Sequence, residues 1–185
     1  MSLTKEQQQS LLDLAKSSIQ HGLQAGRSLK INLADYPAEL TERRATFVTL
    51  HKHQQLRGCI GMLEAVRPLA EDIAENAFLA AFRDPRFPPL AEEEFGELDI
   101  HLSILTPAEP VAFTSEQDLI AQLQPGVDGL ILEEGRRRGT FLPSVWEQLP
   151  EPEQFLRHLK QKAGLAPDYW SESIKIYRYR TEMIG

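Results

Sequence analysis

Ala45-Thr46-Phe47-Val48-Thr49-Leu50-His51-Lys52-His53-Gln54-Gln55-Leu56-Arg57-Gly58-Cys59-Ile60-Gly61 reads as two extended runs broken by a turn. Ala45 to His51 is rich in β-branched and aromatic residues, Gln55 to Gly61 is a second short run, and Lys52-His53-Gln54 between them is turn-like. The pair predicts a β-hairpin whose second strand carries the only cysteine of the 185 residues. Arg57 and Cys59 are two apart, so on a regular strand they share a face, with Leu56, Gly58 and Ile60 turned to a core. A guanidinium beside a thiol favours the thiolate over the ordinary pKa of about 8.5. Gly58 and Gly61 carry no Cβ and allow a ligand or another backbone to come close. The competing reading is a packing role, since free cysteine often behaves as a small buried hydrophobe.

Helical signals stand before and after the hairpin. Thr4-x-x-Gln7 is a capping box, and Leu11, Leu12, Ala15, Ile19 and Leu23 recur at helical spacing up to Gly22, which predicts the helix end. Residues 25 to 44 read as a loop with at most a short turn of structure. Pro68 suits a first helical turn, followed by an apolar face of Leu69, Ile73, Ala77 and Ala81. Asp84-Pro85-Arg86-Phe87-Pro88-Pro89 stops that helix. Leu98 to Leu105 alternates apolar and polar residues as a half-buried strand does. A similar order follows: a helix from Ser115 to Leu123, strands at Val127 to Glu133 and Gly139 to Leu142, helical segments at Pro143 to Leu149 and Pro152 to Ala163, and a strand at Ile174 to Arg180. Hairpin, helix and returning strand, twice over, predict an α+β fold with an internal duplication and approximate halves 1–110 and 111–185.

Composition bounds the function. The apolar fraction is 42% and the charged fraction 25%, ordinary for a globular protein. A single cysteine forms no internal disulfide, no apolar run approaches the roughly 20 residues that span a bilayer, and the start lacks a signal-peptide pattern. These features predict a cytoplasmic protein without a membrane segment. A net charge of −7 disfavours nonspecific nucleic-acid binding, and DNA is not expected. Arg136-Arg137-Arg138 is the one dense cationic run, read either as a solvated turn or as a contact to RNA phosphates.

A nucleophilic cysteine wants a base nearby. His51 and His53 are the nearest in sequence, and His51 falls close to Leu56 if the hairpin is in register. His101, flanked by alternate apolar residues, points off the core face of its strand and is the better placed; His21 and His158 read as surface residues on helices. No Cys-x-x-Cys or His-x-x-x-His pair and no G-x-G-x-x-G occurs, so neither a metal site nor a dinucleotide loop is expected. Arg57, Arg83, Arg86 and Arg138 offer forks for a carboxylate or phosphate; Asp84 reads as part of an internal salt-bridged loop with its neighbours.

Leu56-Arg57-Gly58-Cys59-Ile60-Gly61 is similar to the signature hexapeptide of the AMMECR1 domain family. The resemblance continues through Ala81-Phe82-Arg83-Asp84-Pro85-Arg86-Phe87-Pro88-Pro89-Leu90, Ser103-Ile104-Leu105-Thr106-Pro107, Gly126-Val127-Asp128-Gly129-Leu130 and Arg138-Gly139-Thr140-Phe141-Leu142-Pro143 with Val145-Trp146. It covers nearly the whole chain, in order, and resembles the stand-alone AmmeMemoRadiSam system protein A-like form. The resemblance implies a two-lobed AMMECR1-like α+β fold with a duplication and a signature segment lining a cleft. It implies association with Memo-like and radical SAM proteins. The family's biochemical activity is not established, and a small molecule or RNA has been suggested as its target. Two readings of function follow. In one, the protein is an enzyme or enzyme component with a substrate cleft centred on Cys59, where Arg57 holds an anionic group and favours the thiolate. Gly58, Gly61, Asp84, Arg86, Asp128, Arg138 and Thr140 are then candidate substrate neighbours by resemblance of their segments. In the other, the protein is a non-catalytic binding or scaffold protein in which Cys59 packs.

Overall fold

Thr4 opens the first helix, α1 (Lys5–Ala25), through the expected capping box: its hydroxyl accepts the Gln7 N–H and the Gln7 amide accepts its own. The computed structural model describes residues 2–185. The helix does not stop at Gly22 but runs on to Ala25 and ends on Gly26, whose φ of 70° is the left-handed cap. Gly22 has a packing reason instead. A Cβ there would stand 2.4 Å from Phe82 Cε2 and 2.8 Å from Phe78 Cδ2, so its absence lets α1 settle against the helix that carries those rings.

That helix is α3 (Leu69–Phe82), preceded by the short α2 (Ala38–Thr41). The hairpin forms as expected, with β1 (Thr46–Lys52) and β2 (Gln55–Gly61) joined through His53 and Gln54 at φ 50° and 66°. Two successive residues at positive φ match the right-handed twist of the flanking strands. β3 (Leu98–Leu105) returns beside β1. Val48, Leu50, Ile100, Leu102 and Ile104 pack with Leu11, Ala15 and Ile19 of α1 and Ile73, Ala77 and Ala80 of α3, so both helices cover one face of this sheet.

The second unit repeats the plan. It contains β4 (Glu109–Pro110), α4 (Glu116–Gln122), the hairpin β5 (Gly129–Glu134) and β6 (Arg137–Phe141), α5 (Pro152–Lys162) and β7 (Lys175–Tyr179). Its core gathers Leu119, Leu130, Leu132, Phe155, Leu156, Leu159 and Ile176, with the Trp146 ring stacked on Phe155 at 3.7 Å. Lys160 is fully buried here, its ammonium 2.6 Å from Glu116 Oε1 and 5.6 Å from the Trp170 ring centre. With β8 (Thr181–Ile184) as the last strand, the order is β2-β1-β3-β8 in one sheet and β4-β7-β5-β6 in the other. In each, the returning strand pairs with the first strand of its hairpin. The strand that follows each returning strand joins the other sheet: β4 follows β3 but lies beside β7, and β8 (Thr181–Ile184) follows β7 but lies beside β3. The first unit therefore ends at Leu105 rather than 110 and takes back Glu182–Gly185, while the second is Thr106–Thr181. Among the described residues no helix is long and apolar enough to cross a membrane.

Candidate functional site

The ladder between β1 and β2 changes register part-way. Near the turn Lys52 faces Gln55 and His51 faces Leu56; further on Leu50 faces Gly58 and Thr49 faces Cys59. Arg57 is the extra residue, a β-bulge, and it cancels the simple alternation that gave Arg57 and Cys59 one face. The Arg57 side chain is 9% exposed. Its Nε donates to Glu94 Oε1 at 3.0 Å and its Nη2 to Glu94 Oε2 at 3.1 Å and to Pro88 O at 2.8 Å. Glu94 also takes Lys52, which alternates in phase with core-facing Val48 and Leu50. The Arg57 fork, with the Ala91 N–H, holds the Glu94 carboxyl down at about 2. The half-buried Cys59 thiol lies instead against Thr49 Oγ1, at 3.3 Å. Arg57 is thus committed to Glu94, and the expected Arg57–thiol pairing is not what the geometry presents.

The glycines are also spoken for. A Cβ on Gly58 would stand 2.1 Å from Ala80 O of α3, and one on Gly61 2.3 Å from Thr46 O and 2.4 Å from Phe47 Cγ. Their missing side chains admit the protein's own helix and ring, not an outside ligand.

The cation that does reach Cys59 is Arg86. Asp84, with a side chain 2% exposed, sits just past α3 and accepts the Cys59 N–H at 3.0 Å through Oδ2. Its two oxygens receive Arg86 Nε at 3.0 Å and Nη2 at 2.7 Å, and Oδ1 takes the Arg86 N–H at 3.1 Å. The Arg86 fork holds the Asp84 carboxyl far below the ordinary carboxylate range against the opposing effect of burial. Arg86 Nη2 lies 3.4 Å from Cys59 O, so the two side chains engage both backbone groups that this edge strand turns outward at Cys59. Asp84 does take part in an internal salt bridge, as its neighbours suggested; its further bond to Cys59 had no signal in the sequence.

On the face away from α1 and α3, Cys59, Thr49 and His101 stand in one row across β2, β1 and β3. His51 lies on the same face, its ring 5.2 Å from that of His101 in an edge-on contact. His51 Nδ1 is buried without a hydrogen-bond partner, and His101 Nδ1 lies 3.2 Å from Gly185 O. Neither imidazole is hydrogen-bonded to the thiol among the described residues. Thr49, Glu94 and Phe87, whose ring lies 5.7 Å from the Arg57 and 5.5 Å from the Arg86 guanidinium carbon, were not singled out from sequence. A regular hairpin register would have put Val48 opposite Cys59; Thr49 takes that place through the bulge at Arg57, and the other two come from long-range packing.

The remaining candidates hold the second unit together. Asp128 is fully buried, accepts the Gln124 N–H at 2.8 Å and faces Arg178 Nε at 3.5 Å, while its carbonyl takes the Trp146 indole N–H at 2.7 Å. Thr140 donates to Leu130 O at 2.8 Å and meets the Tyr179 hydroxyl at 2.9 Å. Arg138 pairs with Glu133 at 3.2 Å across its hairpin, and Arg137 donates to Gly164 O. Among the described residues no group of three or more His, Cys, Asp or Glu side chains is arranged to hold a metal ion.

Comparison with known proteins gives one family. The family model described as AMMECR1 matches residues 12–184. A protein of Methanothermobacter thermautotrophicus is 38% identical over 183 residues, spanning 98% of this chain and 95% of that one. One of Thermotoga maritima is 44% identical over 149 residues, spanning 79% and 80%. The crystal structure of an uncharacterized protein from Pyrococcus horikoshii superposes with a TM-score of 0.89 at 36% identity, covering 98% of this chain and 92% of that one.

Proposed function

The chain belongs to the AMMECR1 family, and on that premise we propose that it is an enzyme or enzyme component with a substrate cleft centred on Cys59. One observation carries the reading. In the signature hexapeptide, Arg57 is bound to Glu94, Gly58 and Gly61 are filled by neighbouring atoms, and Ile60 packs on the core. The Cys59 side chain alone keeps a reactive group with a single polar partner, Thr49, while its backbone is held by Asp84 and Arg86. A chain that fixes one thiol's backbone with two side chains, at a residue that is only partly buried, has the arrangement a nucleophile needs. The same role would place it with the Memo-like and radical SAM proteins that the resemblance implies, which co-purification from native cells would check.

Alkylation tests the thiol directly. Cys59 is expected to react with a neutral alkylating reagent at pH 7 faster than the same thiol in the unfolded chain. A rate no faster than the unfolded control removes the activated-thiolate part.

A second reading, a non-catalytic binding or scaffold protein, is favoured by the lack of a hydrogen bond between the thiol and either histidine. Cys59→Ser separates the two: a cellular phenotype and partner set that survive the exchange argue for binding, and their loss with retained folding argues for thiol chemistry.

A further inference from the structure

We infer that Arg86, held by Asp84 at the open edge of β2, binds the oxyanion of a carboxylate- or phosphate-bearing ligand beside Cys59, a step that rests on the reading of Cys59 as the centre of the site. Arg86 differs from the other arginine near the signature. Arg57 is buried and committed to Glu94, whereas the Arg86 side chain is 55% exposed. Its Nε and Nη2 are fixed on a buried carboxylate at 3.0 and 2.7 Å, and no hydrogen bond is donated from Nη1 among the described residues. A planar guanidinium locked on one edge by a desolvated carboxylate keeps its other edge pre-oriented, so little rotamer freedom is lost when an anion binds there. The guanidinium stands beside Cys59, with Nη2 3.4 Å from the Cys59 carbonyl oxygen.

The single cysteine makes the test site-specific by mass. Iodoacetate is an anion and iodoacetamide its neutral counterpart. Both react by the same displacement, sulfur bonding to the methylene carbon as iodide leaves, so the ratio of their rate constants cancels the thiolate population. The folded protein is expected to favour iodoacetate over the unfolded chain by about tenfold, the scale of one charge-assisted hydrogen bond. Arg86→Gln should return the ratio to the unfolded value, and Arg86→Lys, which keeps charge without the fork, should fall between. A ratio unchanged in Arg86→Gln overturns the proposal. Should neither reagent outpace its reaction with the unfolded chain, the Cys59-centred reading fails and the anion site is judged separately. Inorganic phosphate should then shift the backbone amide resonances at positions 59 and 86 in Cys59→Ser and leave them unmoved in Cys59→Ser with Arg86→Gln. Shifts that persist in the double variant, or none in the single one, overturn the anion site.

Discussion

A methyl group on Gly58 would meet Ala80 O at 2.1 Å, a rigidly placed Cβ against a backbone oxygen, so neither partner can swing aside. Gly58→Ala should therefore cost about 2 kcal/mol or more through forced separation of β2 from α3, measured as a shift in urea midpoint. The partly buried Cys59 side chain meets Thr49 Oγ1 at 3.3 Å, a contact a serine hydroxyl can keep, and Cys59→Ser should change stability by less than about 1 kcal/mol while abolishing alkylation. The Tyr179 hydroxyl is a third residue-scale case. It donates to Phe141 O at 3.1 Å and meets Thr140 Oγ1, and burial pushes its ionisation up to about 12. Because the folded form holds the phenolic proton more tightly, this group's stabilisation is complete below pH 10 and is lost as pH rises through 12. Tyr179→Phe should remove that alkaline dependence and lower stability by about 1 kcal/mol.

Strand β2 depends on two carboxylates that belong to other elements. Asp84 follows α3 and ties the edge at Cys59; Glu94 lies in the short 3-10 turn Glu92–Glu97 and neutralises Arg57. Both are ionised far below their unfolded values, so their stabilisation is present above about pH 4.5 and is lost as pH falls toward 2. Glu94→Gln should shrink that acid-dependent loss and leave Arg57 buried without a counter-charge, at a cost of about 3 kcal/mol at pH 7. Asp84→Asn should speed hydrogen exchange at the Cys59 amide more than at Ile60. The clamp also covers the outward N–H and C=O of Cys59, one way an edge strand avoids pairing with another chain.

At the scale of the whole molecule, the exchange of short strands makes the C-terminus part of the first unit. Glu182 Oε1 accepts the Leu3 N–H at 2.9 Å, Ile184 is 3% exposed in the first core, and Ser103 Oγ lies 3.1 Å from Met183 Sδ. Deleting residues 182–185 should accelerate amide exchange in β3 and α1 and leave β5 and β7 near their original protection. Equal loss in both units would show that they unfold as one.

Hydropathy and spacing by themselves determined the hairpin, the two long helices, the returning strands and the α+β class, and the signature segments carried the family resemblance. These are local or periodic features: a capping box, an apolar stripe, alternation and turn residues act over a few positions. The tertiary structure alone decided three things. The bulge at Arg57 depends on where β2 meets Ala80 and Glu94, and shifting one residue reverses which side chains share a face. The role of Gly22 as a packing position rather than a helix end comes from two phenyl rings about sixty residues away in sequence, with the cap falling at Gly26 instead. The cation beside Cys59 is Arg86 rather than Arg57 because a buried carboxylate after α3 reaches back to the edge of β2, a contact between residues 25 apart that no local pattern encodes.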